Sequence, residues 1–205
     1  NDGIALEPVR AAIQEMWVTN TQVNFCAKAY PTVPSCHPDA PALSVLSAFL
    51  RNGFLHRTIR EQGGAYGGGA SHDANIAAFR FFSYRDPRLV ETLEDFDASI
   101  AWLLETPHEQ LALEEAILSV MASLDKPGSP AGEAKRDFQE RLFGRNAEHR
   151  RILRAGIVGT TLDDLRRVTE TYLKPELAST AVITHTAGAD IVAERQLPLT
   201  RQDLL

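Results

Sequence analysis

An α+β fold is the class this sequence predicts: a two-layer sandwich whose mostly antiparallel sheet is covered on one face by helices. Three observations predict it. Residues 22–29 alternate with a period of two, and residues 76–84 are rich in aromatics. The segments between and after them carry apolar residues every three or four positions. The resulting order is strand, helix, hairpin, several helices, strand. Strands segregated from helices in this way build an antiparallel layer under a helical one, not a parallel βαβ sheet.

Residues 1–18 show no clear period and are read as a lead-in. In Gln22-Val23-Asn24-Phe25-Cys26-Ala27-Lys28-Ala29, the side chains of Val23, Phe25, Ala27 and Ala29 share one side. Gln22, Asn24 and Lys28 share the other, which gives a half-buried strand near 22–30 with Cys26 opposite the apolar face. Pro31, Pro34 and Pro38 then forbid regular pairing. Asp39-Ala40-Pro41 opens a helix, with proline suited to its first turn. Leu43, Leu46, Leu50 and Phe54 carry its apolar face toward Arg60, with a break marked at Asn52-Gly53.

Strands near 65–73 and 76–84 form an antiparallel hairpin about Asp73-Ala74-Asn75. Asp86-Pro87 caps the next helix, along which Leu89, Leu93, Phe96, Ile100 and Leu103 recur. Thr106-Pro107-His108-Glu109 has capping-box spacing and opens a helix faced by Leu113, Ile117, Val120 and Leu124. Asp125 to Gly132 is a surface loop, followed by helices over 133–143, 147–156 and 162–173. A strand near 178–185 closes the pattern, and residues 187–205 form a tail. Too little chain follows the loop to build a second core, so residues 1–205 are read as a single domain.

Composition narrows the partners. Hydrophobic residues make up 44% of the 205, enough for a core. A formal charge of −6 argues against nucleic acid or an anionic membrane as partner. No apolar run is long enough to span a bilayer. The chain opens on Asn1, which reads as an excised or processed piece of a larger protein, so a missing targeting segment says little. Cys26 and Cys36 make no disulfide framework. Free thiols in a reducing compartment are the expectation, with the cytoplasm as the suggested setting.

The densest chemical signal is Thr58-Ile59-Arg60-Glu61-Gln62-Gly63-Gly64-Ala65-Tyr66-Gly67-Gly68-Gly69-Ala70. Its glycines open the backbone to close approach. Arg60, Gln62 and Tyr66 are long donors beside it, an arrangement suited to gripping a peptide carbonyl. A plain structural alternative stands beside this: Arg60 as a cation at a helix C-terminus, and Tyr66 as a strand tyrosine with its ring in the core.

Other catalytic patterns are missing. No histidine pair has metal-ligand spacing. His108-Glu109 begins like His-Glu-x-x-His but lacks the second histidine, and His37, His56, His72, His149 and His185 read as ordinary surface or partly buried residues. There is no Gly-x-Ser-x-Gly elbow, no P-loop and no Gly-x-Gly-x-x-Gly. Cys26 has no base near it in sequence and reads as a buried, inert thiol. Glu91, Glu94, Asp95 and Asp97, like Glu114 and Glu115, read as solvated helix faces.

The glycine segment resembles the Arg-x5-Tyr element in the C-terminal half of pitrilysin/insulinase-type zinc peptidases of the presequence-protease subfamily. The resemblance extends to Gln22-Val23-Asn24-Phe25 and to the strand exit Phe82-Ser83-Tyr84-Arg85-Asp86-Pro87. It also takes in Leu142-Phe143-Gly144, Arg151-Ile152-Leu153 and Leu162-Asp163-Asp164-Leu165, and covers about residues 15–186. It implies one half-repeat of that fold. It also implies that zinc sits in a homologous partner domain, in the same parent chain or in a partner subunit, with no metal in this chain. By motif position Arg60 and Tyr66 are the assisting catalytic pair, reaching across the cleft to a peptide carbonyl. Gly63, Gly64, Ala65 and Gly67 would bind the substrate backbone. A zinc-bound water attacking that carbonyl puts negative charge on its oxygen, which a phenol and a guanidinium stabilise. Two other roles fit the same resemblance. One is a non-catalytic scaffold like the peptidase-derived core subunits of respiratory complexes; the other is a helper subunit of a two-chain peptidase.

Overall fold

A computed structural model describes residues 11–204. Six strands and seven α-helices follow in the order β1 (Gln14–Val18), β2 (Asn24–Pro31), α1 (Ala40–Leu50), a π-helix (Arg51–Gln62), β3 (Gly67–Asp73), β4 (Ala78–Asp86), α2 (Val90–Glu105), α3 (Gln110–Leu124), α4 (Pro130–Leu142), α5 (Ala147–Val158), α6 (Leu162–Tyr172), β5 (Ser179–Thr184), α7 (Thr186–Glu194) and β6 (Thr200–Asp203). The sheet order is β3-β4-β2-β5-β1-β6. The pairs β3/β4, β4/β2 and β2/β5 are antiparallel. The four strands expected from the sequence are therefore adjacent in one antiparallel block.

The two chain ends depart from the expectation. Residues 14–18, read as lead-in, form β1 and pair in parallel with both β5 and β6. The tail supplies α7 and β6. Neither strand is marked locally, because β6 is wholly exposed and polar and β1 pairs only with residues far along the chain.

The burial sense of β2 is also the reverse of its apolar alternation. Asn24, Cys26 and Tyr30 face the helices, whereas Phe25 and Ala27 face outward. Tyr30 carries the largest ring on the strand and meets Phe81 edge-on at 6.1 Å. Asn24 can be buried because its hydrogen bonds are all made. Its amide donates to the carbonyls of Asp86 (3.1 Å) and Arg88 (3.2 Å), and its Oδ1 accepts from the Thr184 hydroxyl (2.6 Å). Gly188 of α7 lies against Thr184 and Asn24, which keeps that helix on the inner side as well.

The core lies between the inner sheet face and α1, α2 and α6. Leu43, Leu46, Leu50, Phe79, Phe81, Phe96, Leu165 and Val182 are fully buried. Thr106 opens no capping box. Its hydroxyl instead donates to the carbonyl of Trp102 (2.6 Å), closing α2, and α3 begins at Gln110 with Glu109 as its cap. His108 turns inward beside Leu103, edge-on to Phe49 and Trp102. Thr161 and Asp164 make the reciprocal capping box at the start of α6.

The outer sheet face carries an apolar file. Trp17, Ile183 and Phe25 are side-by-side partners on β1, β5 and β2, and Ala181, Ala27 and Phe82 form the next row. Phe25, Ile183 and Tyr84 on this face are 36%, 38% and 40% exposed.

Candidate functional site

The glycine segment lies where the π-helix ends and β3 begins. The single long helix expected from Asp39 to Arg60 changes its hydrogen-bonding at Arg51, one position before the Asn52-Gly53 break. Gly53 lies under the Trp102 indole, where a Cβ would collide with the ring. π-Helical turns are rare and concentrate at functional sites. Only Leu55 and Ile59 of this helix are buried, so its other side chains are solvent-facing or partly so.

The helix stops by a left-handed cap. Gly64 has φ +80°, its N–H donates to the Arg60 carbonyl (3.1 Å), and the Ala65 N–H reaches back to the Ile59 carbonyl (3.1 Å). Ala65 is buried, which anchors the loop from below. Gly63 and Gly67 serve close approach within the domain itself. A Cβ at Gly63 would strike the Arg88 guanidinium, and one at Gly67 would strike the Tyr84 ring. Arg88 donates to the Thr58 carbonyl (3.2 Å) and to Asp95 (2.8 Å), tying the end of the π-helix to α2. Burial raises the Asp95 carboxyl despite that arginine. The carboxylate of Asp86 accepts from the Arg88 N–H (3.0 Å) and the Thr92 hydroxyl (2.8 Å), so the loop after β4 is fixed as well.

Arg60 sits in the last turn of the π-helix with its side chain exposed. Its Nη1 is 3.5 Å from His56 Nε2, and His56 Nδ1 is 3.4 Å from Glu61. Among the described residues no carboxylate lies within ion-pair distance of Arg60. Tyr66 is not a core tyrosine; it is 66% exposed. Its ring lies 5.7 Å from that of Tyr84, and the Arg85 guanidinium lies 5.7 Å from its centroid. Its N–H donates to the Arg85 carbonyl (3.3 Å). Arg60 and Tyr66 thus flank one left-handed turn with both polar ends outward, although their side chains share no hydrogen bond.

Tyr84 and Arg85 had no role from sequence beyond marking a strand exit. The signal that finds them is structural: two consecutive exposed side chains at the end of a strand that otherwise alternates.

The six histidines occupy separate places. His37 Nδ1 accepts from the Asp39 N–H, His149 Nε2 lies 3.0 Å from the Ser35 carbonyl, and His185 caps α7 by accepting from the Gly188 N–H. His72 stands beside Ser44, with its pKa lowered by burial. Among the described residues no three of His, Cys, Asp and Glu gather into a metal-binding group.

Cys26 is buried on the inner face, and burial pushes its thiol up to about 12. Cys36 is exposed. Alkylation of the folded protein near pH 8 is expected to modify Cys36, with Cys26 reacting only after denaturation. Peptide mapping by mass spectrometry checks this, and rapid labelling of Cys26 in the native state would contradict it.

Comparison with known proteins places this geometry in a family. Residues 14–186 match the PreP C-terminal domain family. A mitochondrial presequence protease from Kluyveromyces lactis is 37% identical over 163 residues, which is 79% of this chain and 16% of that protein. The chain thus spans about one sixth of the length of that curated relative. A protease from Helicobacter pylori has the same fold, with a TM-score of 0.73 at 17% identity over 90% of this chain and 48% of its own. The peptidase M16 inactive domain from Pseudomonas fluorescens matches with a TM-score of 0.68 at 14% identity, over 88% of this chain and 46% of its own. With a family match across most of its length and that degree of identity to a presequence protease, the chain belongs to the PreP C-terminal domain family.

Proposed function

We propose that this chain is the non-catalytic partner of a zinc-bearing peptidase domain, and that it supplies Arg60 and Tyr66 to the transition state of peptide cleavage. The observation that carries the reading is Tyr66. Its phenol is exposed and makes no hydrogen bond within the described residues, yet its ring and backbone are held by Tyr84 and Arg85. A donor that is fixed but unused is what an oxyanion-stabilising group looks like before substrate arrives. Arg60, beside it at the helix end, likewise lacks a carboxylate partner.

In this reading the partner domain, in the same parent chain or in a second subunit, is homologous and holds the zinc that activates water. Residues of this chain orient the peptide and hold its carbonyl oxygen as charge develops there. The apolar file through Trp17, Ile183, Phe25 and Tyr84 lies on the outer sheet face and offers a surface for the peptide side chains. Gly63, Gly64, Ala65 and Gly67 contribute through their backbone and through the side chains they seat. The substrate class is unfolded peptide, of the presequence kind for which the relatives are named. No helix among the described residues is long and apolar enough to cross a bilayer.

The test compares this chain alone with the complete parent protein, or with the chain plus its zinc-bearing partner. Alone, after dialysis against trace zinc, it is expected to retain no stoichiometric metal by elemental analysis and to leave a fluorogenic peptide intact. The complete protein is expected to cleave the same peptide and to stop on addition of chelator. One tightly held zinc per isolated chain, together with chelator-sensitive proteolysis, would overturn the reading.

A further inference from the structure

We infer that Arg85 is a positioning residue for Tyr66, installed by a β-bulge at the end of β4. The inference rests on the reading of Tyr66 given above and extends it to a residue that nothing so far assigns. The pairing of β2 with β4 runs in register from Pro31↔Ala78 to Cys26↔Ser83, then resumes at Asn24↔Asp86. From Cys26 to Asn24 the first strand advances two residues, whereas from Ser83 to Asp86 the second advances three. The extra residue lies within Tyr84-Arg85. Arg85 has φ +50°, the left-handed conformation that bulges of this sort need and that glycine normally supplies. Arginine in that conformation carries a backbone cost that glycine or asparagine would largely avoid. Nothing in the turn itself asks for arginine.

The side chain supplies the reason. The bulge turns two successive residues, Tyr84 and Arg85, to the outside, and both meet Tyr66. Arg85 holds Tyr66 at two points. Its carbonyl accepts the Tyr66 N–H, and its guanidinium lies within cation–π range of the ring. Among the described residues Arg85 has no carboxylate partner, so the Tyr66 ring is the named neighbour of its charge. A normal antiparallel register would place residues 84 and 85 on opposite faces and lose one of the two contacts. Backbone strain accepted at the one point that orients an exposed phenol is the pattern expected at a working site.

A double-mutant cycle in the complete enzyme tests this, with kcat and KM measured separately. Arg85→Gly permits the left-handed backbone and removes the whole side chain; Arg85→Asn tolerates the same conformation without the charge. Both are expected to lower kcat on the order of 10-fold, the scale of a slightly misplaced group, with KM nearly unchanged. Arg85→Lys should recover part of the loss. In a Tyr66→Phe background, Arg85→Gly should cost almost nothing further, because the two changes disable the same device. Thermal melts alongside separate a misfolded variant from a mispositioned phenol. If Arg85→Gly costs the same factor in both backgrounds, alters only KM, or is silent while Tyr66→Phe is costly, this inference falls and the reading of Tyr66 stands. A silent Tyr66→Phe overturns that reading, and this inference with it.

Discussion

Tyr66→Phe in the complete enzyme is expected to lower kcat/KM by roughly 10- to 1,000-fold, the range seen when one oxyanion donor is removed. The substitution keeps the ring, so the tilted contact with Tyr84 and the contact with Arg85 survive; only the hydroxyl is lost. Arg60→Ala should cost at least as much, since it removes a charge as well as donors. Neither side chain is buried, and neither contributes to the core. Zinc content and melting temperature should therefore stay close to those of the parent. Were Arg60 merely a helix-end cation, Arg60→Ala would appear instead as a stability loss of roughly 0.3–1 kcal/mol with catalysis intact. Steady-state kinetics with parallel thermal melts decide between the two. Full activity in Tyr66→Phe with zinc retained would end the case for the phenol.

Phe81→Ala is expected to destabilise the domain by about 3–5 kcal/mol, the cost of emptying a fully buried aromatic site. Phe81 is fully buried on the inner sheet face, on β4. Its ring meets Tyr30 edge-on at 6.1 Å and Phe79 at 5.3 Å, and stacks on Phe96 of α2 at 5.5 Å. Three aromatic contacts leave little freedom for the neighbours to collapse into the void. Urea unfolding of the purified chain measures the effect. A loss under about 1 kcal/mol, no more than a point mutation of any kind commonly costs, would show that the aromatic cluster is not the keystone of the packing. Because Phe81 shares β4 with Tyr84 and Arg85, activity in the complete enzyme should fall at temperatures well below the midpoint.

Much of this was present in local sequence. Alternation and aromatic content placed β2, β3, β4 and β5, and spacings of three and four placed α1, α2 and the helices of the second half. The glycine segment with Arg60 and Tyr66 stood out for its composition, and both residues prove exposed at one helix end. What escaped is what non-local pairing decides. The strands β1 and β6 have no pattern of their own, since one is five residues long and the other is polar and exposed throughout. The inner face of β2 was inverted because alternation counts apolar residues. It cannot see that Asn24 finds three partners across the fold or that Phe25 belongs to an outward apolar file. Thr106 has the spacing of a capping box yet closes α2, because a capping box and the end of a preceding helix draw on the same hydroxyl chemistry. The bulge at Tyr84-Arg85 was hidden for a related reason: an arginine in a left-handed conformation leaves no glycine to announce it.

The parallel pairing of β1 has a consequence for how the molecule is made. Its parallel register joins residues 166 positions apart, as between Gln14 and Thr180, and β6 must then dock on its far side. During synthesis β1 precedes β5 by that span and has no strand partner until β5 follows. Its apolar residues Met16 and Val18 therefore wait, uncovered, while the antiparallel block and the helices assemble. Loop closure over such a span is slow compared with hairpin formation. Attachment of β1 is thus expected to follow assembly of the antiparallel block, leaving Met16 and Val18 exposed until then.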